Sequence, residues 1–192
     1  MSDPYVYPGA DVLRNNLGIR DAAGLARVEA DLTNWNGLCL AAEPIPGDFD
    51  LAHLRAFHRF LFRDLYDWAG ELRTVSLAKA DLFCMPEHIE SYGAEIFGTL
   101  ADERHLRGLN LERFVDRLAH HFANANALHP FREGNGRAQR AFFAQLAAEA
   151  GYRLDWQLVD PQRNIDASAA AMQGNEKPLR ELLSEIATPL DS

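Results

Sequence analysis

The sequence predicts a mainly α-helical single domain with one short β-hairpin. Three observations lead there. Apolar residues recur at spacings of three and four along most of the chain. Short strand-like pieces occur only in the segment at about 72–86. No internal repeat or flexible linker divides the 192 residues, and one domain is the default at that length.

The elements follow in order. Residues 1–20 form an N-terminal arm, with Tyr5, Tyr7, Pro8 and Gly9 reading as an extended piece and a turn. Val12, Leu13, Leu17 and Ile19 are its expected anchors. From Asp21 a helical stripe runs through Leu25, Val28, Leu32 and Trp35, until Pro44, Pro46 and Gly47 break it. A second helix covers about 50–65, with Asp48 or Asp50 as its cap. Thr74-Val75-Ser76-Leu77 and Leu82-Phe83-Cys84-Met85 read as the two arms of the hairpin. Ile89, Tyr92, Ile96, Phe97 and Leu100 mark the next helix, and another spans about 110–127. Helical sequence resumes from about Gly136 to Ala150, with Gly151 as its stop. Two last helices are expected at 161–171 and 176–187.

Composition narrows the function. The chain is 47% hydrophobic and 10% aromatic, which is enough for a core, and carries a net charge of -9. Such an acidic chain does not suit nonspecific nucleic-acid binding, so no direct nucleic-acid partner is expected. Cys39 and Cys84 form no disulfide or zinc pattern and suit a reducing compartment. No stretch of 18 apolar residues suggests a membrane span. A cytoplasmic protein is the expectation.

Chemistry concentrates in His129-Pro130-Phe131-Arg132-Glu133-Gly134-Asn135-Gly136-Arg137-Ala138-Gln139-Arg140. The active-site loop and following helix are placed at 129–150. Unpaired backbone N–H groups at a helix start carry partial positive charge. Gly134 and Gly136 let that backbone bend and approach a ligand, which makes an anion nest. Arg137 and Arg140 share a helix face and suit several phosphates, and Asn135 adds an uncharged donor. Glu133 is out of place in a purely anionic site, unless Mg²⁺ bridges it to the phosphates. His129 has the right intrinsic pKa to take a proton from a hydroxyl. Phosphoryl or nucleotidyl transfer to an alcohol is the combined reading. No Walker A loop, dinucleotide-binding GxGxxG unit or HExxH pair competes with it.

Taken one residue at a time, a solvated glycine-rich loop and a structural histidine are the more common outcomes. The four kinds of group in one segment shift that balance. His58 and His121 lie among apolar residues and read as structural, Tyr66 and Trp68 as core. Lys79 at the hairpin tip, Arg132 and Gln139 read as solvent-facing.

The run resembles the Fic-domain signature HxFx(D/E)GNGRxxR at every specified position. Residues 57–70 also resemble the segment before that family's hairpin flap. The N-terminal arm resembles stand-alone bacterial Fic toxins and the Fic domains of translocated effectors. The resemblance implies a protein adenylyltransferase, which moves AMP from ATP to a Ser, Thr or Tyr hydroxyl. It makes His129 the base and Glu133 the Mg²⁺ ligand. The backbone of Gly134, Asn135 and Gly136, with the Asn135 side chain, cradles the α- and β-phosphates. Arg137 then serves the β-phosphate and Arg140 the γ-phosphate. Phe131 belongs to the same nucleotide loop, as a core anchor more than a ligand contact. The flap implies a target segment docked as an added strand, and a type II topoisomerase subunit is one target.

The family's inhibitory pattern (S/T)xxxE(G/N) is incomplete here. Ser91 and Glu95 are followed by Ile96, and Thr99 and Glu103 by Arg104. The implied regulator is a separate small helical antitoxin whose glutamate reaches Arg140. If the chain is an effector fragment, a secreted or translocated protein with a host GTPase target is the alternative. Transfer of UMP, phosphocholine or phosphate, and a catalytically silent binding module, stay open. Gly136 stands where the phosphotransferase branch has lysine.

Overall fold

The computed structural model describes residues 3–78 and 82–190. The expected flap tip, with Lys79, lies outside the described residues. The chain is mainly helical. The elements are α1 (Ala22–Ala42), α2 (Leu51–Phe62), α3 (Ile89–Asp102), α4 (Leu111–Leu128), α5 (Asn135–Glu149), β1 (Tyr152–Leu154), α6 (Pro161–Met172), α7 (Lys177–Ile186) and β2 (Ala187–Pro189).

Side-chain caps fix where several helices begin. Asp21 accepts from the Gly24 amide at 2.6 Å, Asp50 from His53 at 2.7 Å and Asn110 from Arg113 at 3.0 Å. Asp160 accepts from Arg163 at 2.9 Å, with Pro161 at the first helical position.

Helices α4 and α5 form the centre. The first packs on α3, α5, α6 and α7, and the second on α1, α2 and β1. The core is rich in phenylalanine. Phe49, Phe57 and Phe97 meet Phe142 edge-on at 5.5, 5.8 and 5.5 Å. Each such ring, fully buried, contributes about 1.5–3 kcal/mol.

Some expectations change. The hairpin is reduced, among the described residues, to one antiparallel bridge, Ala78 with Leu82, and a bond from Phe83 N–H to the Leu77 carbonyl at 3.1 Å. The two arms bond to other segments instead of forming a ladder. The regular strands lie elsewhere, with β1 antiparallel to β2 and Arg153 opposite Thr188. Trp35 is 65% exposed and Leu17 49%, so neither anchors the core. The buried face of α1 runs through Thr33, Asn36 and Leu40. Asn36 gives it a polar tie, donating to the Leu61 carbonyl at 3.1 Å.

Candidate active site

Helix α4 stops because Pro130 follows and His129 turns left-handed, with φ 45° and ψ 59°. The His129 amide still donates to the Ala125 carbonyl at 3.2 Å. Its ring Nδ1 faces the Asn126 carbonyl at 3.2 Å. A carbonyl only accepts, so Nδ1 carries a proton towards it. Above the ring lies Phe83 of the flap, stacked at 3.7 Å and 12°.

From His129 the chain loops back to α5. Phe131 is wholly buried, stacked at 3.9 Å on His58, and reaches no ligand space. It anchors the loop from beneath. The Asn135 side chain turns to the same loop. Its Oδ1 accepts from the Phe131 amide at 2.9 Å, and its Nδ2 donates to the Phe131 carbonyl at 2.7 Å. Each end of the amide makes one bond that closes the loop, and Nδ2 keeps a second hydrogen to donate.

His58 braces the same loop. Its Nδ1 accepts from the Gly70 amide at 2.8 Å, so Nε2 carries the proton and donates to the Glu133 carbonyl at 2.9 Å. Burial pushes its pKa down to about 4, aided by the charge of Arg137 and opposed by the bond to Glu133. The ring is a neutral strut.

Gly134 holds the N-cap position of α5 with φ 77°. A Cβ there would lie 2.2 Å from the Phe62 ring, so both conformation and packing demand glycine. Gly136 differs. A Cβ on it would meet only Arg140 Nη1, at 3.4 Å, so the open space beside it is available to a ligand. No side chain caps α5. The amides of Asn135, Gly136 and Arg137 find no acceptor among the described residues. They form the anion-attracting helix end that the sequence implies.

Two cavities meet here. One of about 380 Å³ runs past His129, Gly136 and Arg140 to Asn164 and Met172 of α6. The other, about 250 Å³, runs past His129, Glu133 and Gly134 to Leu77 and Ala78 of the flap. His129, Gly136 and Phe83 line both.

The two arginines diverge. Arg140 enters the larger cavity and has no hydrogen-bonded or ionic partner among the described residues. Burial, then the charge of Arg137, lowers its pKa from the usual guanidinium range. Arg137 turns to α1 and lines neither cavity. It donates to Glu29 at 2.5 Å, Thr33 at 3.3 Å and Glu133 at 3.4 Å, over the Phe62 ring. Tyr66 donates to the other oxygen of Glu29.

Glu133 fits a shared metal site and not an all-protein cage. Its Oε1 accepts from the Gly134 amide at 2.8 Å, while Oε2 has no partner among the described residues. No group of three metal-ligating side chains occurs among those residues. One carboxylate plus phosphate oxygens and water is the donor set that Mg²⁺ takes with nucleotides.

Other residues depart from their expected settings. Arg132 pairs with Asp3 of the arm at 2.8 Å, and Gln139 is buried, donating to the Ala125 carbonyl at 3.0 Å. Glu29 and Arg73 carry no motif and escape sequence reading. Arg73 leaves only a faint signal, a lone cation between Leu72 and Val75.

The comparisons with known proteins agree with this geometry. The Fic/DOC family model matches residues 48–147. Protein adenylyltransferase VbhT of Bartonella schoenbuchensis is 43% identical over 95% of this chain, which spans 38% of that protein. The probable protein adenylyltransferase Fic of Escherichia coli is 40% identical, over 96% of this chain and 92% of its own length. The BepC effector structure from Bartonella tribocorum, with bound AMPPNP, has a TM-score of 0.91 at 30% identity, covering 97% of both chains. An ADP-bound Fic domain from Bartonella quintana has the same TM-score and identity, over 97% of this chain and 95% of that one. The loop, the helix start and the matched length together establish that this chain belongs to the Fic/DOC family.

Proposed function

We propose that this chain transfers AMP from ATP to a Ser, Thr or Tyr hydroxyl of a target protein and releases pyrophosphate. One observation carries the reading. A half-buried arginine, Arg140, with no anionic partner among the described residues, lies in the same cavity as His129 and beside an uncapped helix start. A ligand with several negative charges suits that combination. The nucleotides in the BepC and Bartonella quintana structures, and the names of the curated relatives, support ATP as the donor.

The residues divide the work. The free amides of α5 and the Arg140 guanidinium hold the phosphate chain and oppose its charge. The target hydroxyl oxygen forms the new bond to the α-phosphorus, and its proton goes to Nε2 of His129. The bond from that phosphorus to the bridging oxygen breaks, and pyrophosphate leaves with the electron pair. Glu133 would hold Mg²⁺, which supplies charge neutralisation to the phosphates when bound. The smaller cavity, reaching the flap, suits the target segment laid along Leu77 and Ala78. A β-phosphate would compete with Glu29 for Arg137.

The reading extends to regulation. A carboxylate from a separate small antitoxin would satisfy Arg140 and displace ATP, making the chain a toxin held in check. Family resemblance makes a type II topoisomerase subunit the first target to test. ATP as donor suits a cytoplasmic setting. No described helix is long and apolar enough to cross a membrane.

Labelling of proteins from α-labelled ATP is the test. His129→Ala should cut transfer on the order of 10²–10⁴-fold, the usual worth of a positioned base, while ATP still binds. Labelling by that variant at the native rate would overturn the assignment. Glu133→Ala should flatten the magnesium dependence, and an unchanged magnesium titration would count against its role.

A further inference from the structure

Arg73 is 2% exposed, yet it has no carboxylate partner among the described residues. Its guanidinium donates to backbone carbonyls alone. Nε meets the His129 carbonyl at 2.8 Å and Nη1 that of Val75 at 2.8 Å. Nη2 meets those of Cys84 and, at 3.5 Å, Leu128. The Arg73 amide adds a bond to the Pro130 carbonyl at 2.9 Å.

Burying this cation is costly, and burial lowers its pKa. The carbonyls offset that cost. Those of Leu128 and His129 stand at the C-terminus of α4, where the helix dipole is negative. The planar fork matters as much as the charge. It reaches the catalytic turn and both flap arms at once, which a lysine ammonium has no geometry to do.

These contacts close on themselves. Arg73 holds Cys84, whose own amide donates to the Ala127 carbonyl at 3.0 Å. Cys84 follows Phe83, Phe83 stacks on the His129 ring, and the His129 carbonyl returns to Arg73. The left-handed backbone of His129, uncommon outside glycine, sits inside this ring.

We propose that Arg73 is a positioning residue, clamping the flap to the catalytic turn so that Phe83 holds the His129 imidazole in place to take its proton. The proposal rests on His129 as the base. Phosphate binding belongs to α5, so the clamp governs turnover more than nucleotide affinity.

The test uses the full chain with Arg73→Lys, Phe83→Leu and the double variant. Proton NMR of the His129 ring is the readout that needs no activity. A stacked Phe83 shifts the ring protons upfield. Phe83→Leu should remove that shift, and Arg73→Lys should remove part of it. Transfer by Arg73→Lys should fall about ten- to a hundred-fold, as misplacement of a reacting group does, with ATP affinity retained. The double variant should lose less than the product of the single losses, since both act through one ring. An unchanged His129 shift in a folded Arg73→Lys protein overturns the proposal. So does loss of ATP affinity in step with transfer, or independent losses in the double variant. Should Arg73→Lys not fold, native transfer by Phe83→Leu overturns it equally. Wild-type protein that labels no target would defeat the adenylyltransferase reading, while the NMR shifts still decide the clamp.

Discussion

Arg137 and Arg140 leave the same helix three residues apart and live in opposite surroundings. Arg137 is bound on every side, by Glu29, Thr33, Glu133 and the Phe62 ring. Arg140 enters a cavity that Asp166 also lines, yet it makes no ion pair among the described residues. A half-buried guanidinium carries a desolvation cost that pairing offsets. On the α1 side the fold meets that cost itself. On the α6 side it leaves the charge for something that arrives. The same residue type in one motif is therefore paired within the fold at one position and without an ion pair among the described residues at the other.

The sharpest way to break this contrast is Arg140→Ala. Removing the unpaired cation should reduce AMP transfer on the order of 10²–10³-fold, the scale of a lost transition-state donor. Thermal stability should hold or rise, because no hydrogen bond or ion pair among the described residues is lost. A melting temperature that falls with activity would show that Arg140 also serves the fold.

The next effect is read in pH. His58 supports the Glu133 carbonyl, between the two arginine environments. Its folded pKa is depressed from 6.5 to about 4. Above the unfolded value both states are neutral and its contribution is full. As pH falls from 6.5 towards 4, the unfolded chain takes up a proton that the folded one refuses, and stability declines. The limit is about 3 kcal/mol over that window. Denaturant unfolding at a series of pH values would measure it, and His58→Asn should flatten the slope. An identical slope in the variant would assign the acid sensitivity to other groups.

Much of this was legible in the sequence. The helices were marked by apolar spacing and, for the second, by Asp50 as one of two candidate caps. The site was marked by the density of chemistry between His129 and Arg140. Much of what escaped has its partner distant in sequence. Glu29 lies 108 residues from Arg137, and no local pattern links them. The flap lost its ladder because Arg73 and Ala127 take its backbone groups. The β1–β2 pair was missed because a three-residue strand has too little alternation to be seen, and its burial comes from tertiary packing.

Glu29→Gln probes the smallest effect and the most informative one. Glutamine keeps one carbonyl oxygen to accept from Arg137 and puts an NH2, which can only donate, towards Tyr66, so the charge and one acceptor are lost, and Glu133 remains as a second partner for the guanidinium. The loss of stability should be about 1 kcal/mol, the order of a weakened charge-assisted bond. Urea unfolding would measure it. The consequence for ATP separates the two roles available to Arg137. A β-phosphate must compete with Glu29 for it, so removing the competitor's charge should tighten ATP binding severalfold. Titration of the variant with ATP tests this directly. If affinity is unchanged while stability falls, Arg137 stays with α1 during the reaction. The phosphates would then depend on the α5 amides and Arg140, and the division between a structural and a ligand-binding arginine would be complete.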